Sequence, residues 1–312
     1  MDNTLIRHIS ALAAALFFAP LLPGIINKVK AFFAGRKGPR LIQLYFDLAK
    51  LLKKEVIVSR SSGGIIRIAP SVILAFTITA AALLPMGGAA SPAGFAGDAL
   101  LFFYLLGTCR IFSVLAAMDT ASSFEGMGSA REVFFSALAE VAVFTVLAFL
   151  ALSANSLKLA QMLCSQGVDS WMNFTPVLMT ALAMFLVLLA ENCRVPFDDP
   201  ETHLELTMIH EAMILDYSGT DLAAILYASS LKLWIFAAFI TSLLIPPGVF
   251  AVWQETALFF AGIIAIAVLT GIVESSMARF RFLKVPSLLI AAAIMPVLAL
   301  LFVIFFLNGG VQ

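Results

Sequence analysis

Residues 190–221 read AENCRVPFDDPETHLELTMIHEAMILDYSGTD, a polar island between two apolar runs at 171–190 and 222–245. The chain around it is 62% hydrophobic and 12% charged, with a mean hydropathy of +1.03. Yet this island holds Glu191, Asp198, Asp199, Glu201, Glu205, Glu211, Asp216 and Asp221, eight of the nineteen acids. A soluble domain is nearer half apolar, so the composition excludes one. The island is a loop between membrane spans.

Working outward from it, runs of about 20 apolar residues, the length that crosses about 30 Å of hydrocarbon, occur eight times. They cover 9–26, 69–86, 100–118, 133–152, 171–190, 222–245, 257–273 and 285–307. None alternates as a barrel strand does, and lipid leaves no partner for open backbone groups, so all eight are predicted helices. The chain is read as an all-α integral membrane protein, one polytopic domain over 1–312. The first run is not a cleaved leader, because its charges follow the apolar stretch and no small-residue cleavage site appears.

Sidedness follows from the basic residues. The first loop and the other odd loops together carry fifteen of the nineteen Lys and Arg, ten of them in the first loop. The N-terminus and the even loops carry only Arg7 and Lys158. By the positive-inside rule both termini face outward and the acidic loop faces the cytoplasm, which in a bacterial cell means an inner-membrane protein.

Two segments on that side have helical signals. After a Gly–Pro turn, residues 41–56 place Leu41, Leu44, Tyr45, Leu48, Leu51 and Leu52 on one face and Gln43, Asp47, Lys50 and Lys54 on the other. So short an amphipathic stretch lies along the interface, as an anchor, as a collar for a partner, or as both. In the island, Asp199 suits an N-cap and Pro200 the first helical position, which predicts a helix from there to about Leu215.

Arg110, Glu140 and Lys232 fall inside spans, where an unpaired charge costs at least about 2.5–3.5 kcal/mol. Each is expected to have a partner or a wet cavity. They form either ion pairs that fix packing or a proton relay, in which Glu140, Lys232, the span-end acids Glu191 and Glu274, and the loop acids form one string. Burial and like-charge crowding bring such groups toward neutral pKa values. The spacing of His203, Glu205, His210 and Glu211 is not that of a metalloprotease zinc motif, and no metal is expected. Cys109, Cys164 and Cys193 show no paired spacing and are read as free thiols. No phosphate loop occurs, and nothing points to nucleic acid.

Glu191, Arg194, Pro196, Phe197, Asp198, Pro200, Glu201, Glu205 and Leu206, followed by Asp216-Tyr217-Ser218-Gly219, resemble the cytoplasmic loop of the quinone-chamber membrane subunit of respiratory complex I, the NADH dehydrogenase subunit 1 family. Gly38-Pro39 before the amphipathic stretch, and Arg131 nine residues before Glu140, agree with it. So does the eight-span topology. Two features depart: His203 replaces a usual third Glu, and about three extra residues separate Leu206 from Asp216. This variant resembles the membrane subunit of formate hydrogenlyase and other energy-converting group 4 nickel–iron hydrogenases.

The resemblance implies a non-catalytic subunit with no cofactor of its own. Its partners are hydrogenase large and small subunits holding the nickel–iron centre, iron–sulfur proteins with their clusters, antiporter-like membrane subunits and the bilayer; quinone is not expected. It further implies a coupling set of Glu140, Glu191, Glu201, Glu205, Glu211, Asp216, Lys232 and Glu274, with Arg110, Arg131 and Arg194 as counter-charges. Pro196, Phe197, Asp198, Asp199, His203, His210 and Tyr217 belong to the docking loop. The alternatives are a quinone-site subunit of an NADH dehydrogenase-like complex and, from another class, a stand-alone cation/proton antiporter, against which the lack of paired broken helices argues.

Overall fold

A computed structural model describes residues 3–59, 62–86, 91–164, 171–198, 209–245 and 251–307. The fold is all-α, in the order α1 (Asn3–Phe18), α2 (Leu21–Phe33), α3 (Gln43–Leu51), α4 (Ile65–Leu83), α5 (Asp98–Asp119), α6 (Ser123–Ala154), α7 (Leu159–Cys164), α8 (Trp171–Glu191), α9 (His210–Met213), α10 (Gly219–Leu244), α11 (Val252–Ser276) and α12 (Val285–Phe302), the last ending in a π turn to Leu307. Among the described residues seven helices are long and apolar enough to span a membrane, or eight when α1 and α2 count as one bent span. The bend is 48°. Pro20, which has no N–H to continue the ladder, stands at the break, and Pro23 sits in the first turn of α2.

α10 is the axis of the bundle. Of its apolar window 72% is buried, against 22% for α12. It packs against α2, α3, α4, α8 and α11, while α4 pairs with α5, and α12 lies on α6 and α8. In the middle of this core Phe239 stacks on Phe102 with centroids 6.2 Å apart and receives Phe103 edge-on at 5.6 Å.

The amphipathic helix is shorter than its sequence pattern suggests. It begins at Gln43 and stops at Leu51, not at residue 56. Beyond it Val56, Ile57 and Val58 are β-branched and favour extended backbone. There Ile57 exchanges two hydrogen bonds with Ser218: its N–H donates to Oγ at 2.8 Å, and the hydroxyl donates to its carbonyl at 3.1 Å. α3 half-buries Leu44, Tyr45, Leu48 and Leu51 and leaves Leu41, Ile42, Phe46 and Leu52 exposed, as an interfacial helix does. It lies close to α2 because Gly24 has no Cβ to meet the Leu41 carbonyl, and the Tyr45 hydroxyl donates to the Phe17 carbonyl.

α6 departs most from expectation. It starts at Ser123, ten residues before the apolar run, and its 32 residues are about 48 Å long, well beyond the thickness of hydrocarbon. Its first three turns therefore stand outside the apolar layer. Gly128 lets α9 rest on them, since a Cβ there would lie 2.9 Å from the Ala212 side chain and from the Ile209 carbonyl.

Candidate functional site

The three intramembrane charges meet through the last residue of α8. Arg110 from α5 lies 2.9 Å from Glu191, and Lys232 from α10 lies 2.8 Å from its other oxygen. Lys232 also donates to the Glu191 backbone carbonyl at 2.7 Å. Glu140 from α6 approaches Arg110 at 3.8 Å. The Glu191 side chain is 3% exposed and that of Glu140 is 53% exposed, so the chain of charges runs from the protein interior to the outer face of the bundle. Each expected intramembrane charge thus has a partner.

Local backbone chemistry sets this geometry. α8 ends in a Schellman motif: the Cys193 N–H donates to Ala190 O at 3.2 Å and the Arg194 N–H to Leu189 O at 2.8 Å. Cys193 takes the left-handed conformation at φ 48° that such an end requires. The reversal holds Glu191 at the helix end and turns Arg194 toward Glu274 at 3.4 Å. Lys30 of α2 is 3.3 Å from the same carboxylate. Arg194 and Glu274 therefore form a second ionic group that ties α2, α11 and the loop together.

Asp198 forms a third. It is 2.9 Å from Arg279 and accepts the backbone N–H groups of Ile209 at 3.1 Å and His210 at 3.3 Å. Of the residues assigned to the docking loop, Pro196, Phe197, Asp198 and Tyr217 are buried and hold the loop from within. A carboxylate that anchors the start of α9 points inward because two backbone donors and a guanidinium await it there. Arg131 stands over the Phe282 ring at 5.1 Å, and Arg279 lies against the same ring at 5.2 Å. Asp216 is exposed, and Glu211 lines the cavity beneath α3. Asp199, Glu201, His203 and Glu205, with the expected helix start at Asp199-Pro200, lie outside the described residues.

Two acids escaped the sequence reading. Glu132 is 8% exposed and receives the Cys193 thiol at 3.8 Å; it sits one residue before the apolar run and so looked like a flank. Glu125 is fully buried and accepts the Asp216 N–H at 3.0 Å. The polar first turns of α6 hid it.

Among the described residues three cavities adjoin the Arg110–Glu191–Lys232 cluster or the Arg194 turn. One of about 140 Å³ lies beneath α3, between Pro23, Leu44, Arg194, His210 and Leu233. A second, about 60 Å³, is lined by Arg110, Glu132, Glu191, Cys193, His210 and Lys232. The third, about 50 Å³, holds Arg110, Glu140 and Glu191 among Phe103, Tyr104 and Phe144. Neighbouring cavities share lining residues: Arg110 and Glu191 between the two smaller ones, and His210 among those between the two larger of the three.

Burial, then Lys232 and Arg194, lower His210 to about 4, so the imidazole is neutral at neutral pH. Burial and the nearby carboxylates Glu132 and Asp198 push the Cys193 thiol upward, and burial followed by Glu125 raises Tyr217. For His210 the unfolded chain binds more protons than the folded one between about 6.5 and about 4. Its contribution to stability is thus complete above the upper value and falls as the pH drops through that window. Melting curves of the detergent-solubilised chain should show this loss, and His210→Gln should flatten it.

The relatives point the same way. The chain is 31% identical over 286 residues to hydrogenase-4 component C of Escherichia coli (strain K12), covering 89% of this chain and 90% of that one. To formate hydrogenlyase subunit 4 of the same strain it is 29% identical over 271 residues, covering 84% and 87%. A chain of the membrane-bound sulfane sulfur reductase, an archaeal respiratory membrane complex, shares the fold with a TM-score of 0.80 at 21% identity, over 96% of this chain and 100% of that one. The NADH dehydrogenase family profile matches residues 6–306, and this multi-pass membrane chain belongs to that family.

Proposed function

We propose that the chain is a non-catalytic membrane subunit of a multisubunit nickel–iron hydrogenase complex. It anchors the hydrogenase arm at its charged end and links the arm's redox reaction to proton or sodium movement in neighbouring membrane subunits. The observation that carries the coupling role is the Arg110–Glu191–Lys232 cluster with a cavity on either side. Two cations hold one buried carboxylate, and Glu140 extends the group to the outer face of the bundle. A charge arriving at or leaving the loop changes the protonation that this cluster favours, because charges in a poorly polarisable interior interact strongly. Arg110 Nε and Nη1 are buried with no hydrogen-bond partner among the described residues, and cavities of about 50 and 60 Å³ have room for ordered water between such groups.

Similarity to hydrogenase-4 component C and formate hydrogenlyase subunit 4 favours hydrogenase partners. The excess of Lys and Arg in the odd loops favours a cytoplasmic position for the charged end. The cavity beneath α3, about 140 Å³ among the described residues, is small beside the roughly 300–1,000 Å³ of pockets for drug-sized ligands, which favours the reading without quinone.

The complex, purified gently through a tag on this chain, is expected to contain nickel and to evolve hydrogen without quinone. A nickel-free complex that reduces quinone from NADH would replace this reading with that of a quinone-site subunit. Glu140→Gln is expected to assemble normally and to lose about tenfold or more of ion translocation in liposomes; full translocation by that variant would end the coupling role.

A further inference from the structure

Among the described residues four, Asn192, Cys193, His210 and Ser229, line both the cavity beneath α3 and the one at the buried cluster. They stand at the boundary between the two spaces. We propose that His210 is the relay through which protons move between the cavity beneath α3 and the Arg110–Glu191–Lys232 cluster; this rests on the coupling role above and names its entry point.

The other three are poor carriers. An amide such as Asn192 does not release a proton in this range. The Cys193 thiol is kept protonated by burial and by Glu132 and Asp198. The Ser229 hydroxyl can pass a proton along but cannot draw one from water. A neutral imidazole carries a donor and an acceptor on different ring atoms. It forms an N–H bond on one nitrogen as it breaks the N–H bond on the other, and no electrons change hands. A ring flip restores the starting tautomer.

The surroundings suit transit rather than storage. Burial, then Lys232 of α10 and Arg194 of the loop, discourage a lasting imidazolium. Glu132 of α6, Glu191 of α8 and Lys232 line the inner cavity, and Arg194, Asp198 and Glu211 line the outer one. The root of the ring is fixed, because the His210 N–H donates to Asp198, itself held by Arg279 at 2.9 Å. A fixed root with carboxylates in the spaces on both sides is what a directional relay needs.

The test uses the purified complex in liposomes with a pH-sensitive dye inside. His210→Gln is expected to assemble and to lose about tenfold or more of translocation. His210→Gly should be restored by millimolar imidazole, whereas Glu140→Gln should not. Translocation by His210→Gln within about twofold of the natural chain, alongside a defect in Glu140→Gln, would overturn the relay and leave the coupling role standing. Normal translocation in both would overturn both. A defect in the histidine variants that imidazole fails to repair would reduce His210 to a structural part and overturn the relay. If the glycine variant does not assemble, the glutamine variant decides by translocation alone.

Discussion

Glu191→Leu is expected to cost about 3–5 kcal/mol of stability, because it strands two cations in the interior. Arg110 at 2.9 Å and Lys232 at 2.8 Å both rely on this carboxylate, and the Arg110 side chain is 9% exposed. Removing the anion leaves Glu132 and Glu140 as the remaining nearby carboxylates, and Glu140 is half in the open. Thermal unfolding in detergent measures the loss. The double variant Glu191→Leu/Lys232→Met should recover part of it, since one stranded charge goes with its partner, and a double-mutant cycle then isolates the coupling. A melting temperature unchanged in Glu191→Leu would mean that water already screens these charges.

The second large effect is expected at Gly219→Val. The residue has φ +53°, where an L side chain costs about 1–2 kcal/mol. A Cβ would also stand 2.6 Å from the Glu55 carbonyl oxygen and 2.8 Å from that of Lys54. Both obstacles are backbone and cannot swing aside. The extended segment must leave, and with it go the two bonds between Ile57 and Ser218. Together these losses amount to about 2–4 kcal/mol. Limited trypsin digestion reports the event directly: cleavage after Lys53 and Lys54 should accelerate. Unchanged cleavage would show that the clasp does not hold the segment.

Much of this architecture was legible in the sequence, for a physical reason. Lipid demands long apolar helices, so the spans announce themselves, and α8, α10 and α11 lie within a few residues of their hydropathy limits. Where the demand ceases, the signal ceases with it. α6 continues through Ser123–Glu132 on contacts with α9 that hydropathy does not register. α3 ends early because a serine more than 160 residues away captures the following segment. The need of Arg110 and Lys232 for partners could be read from their depth. That one glutamate serves both could not, because it depends on the rotation of three helices about their axes. The partners of Asp198 could not be read either, because Arg279 comes from elsewhere in the fold and the N–H groups of Ile209 and His210 from further along the loop.

The over-long α6 carries one continuous helix from α9 to the outer face of the bundle. Twelve residues of unbroken helix separate Gly128, where α9 rests, from Glu140, a span of about 18 Å. A helix resists bending far more than it resists tilting as a unit. If a docked partner pushed on α9, the force would reach Glu140 as leverage, with Arg110 beside the moving end. On the proposed coupling role, the loop would then have a mechanical line toward Glu140 beside the electrostatic one, and that line needs no proton to travel.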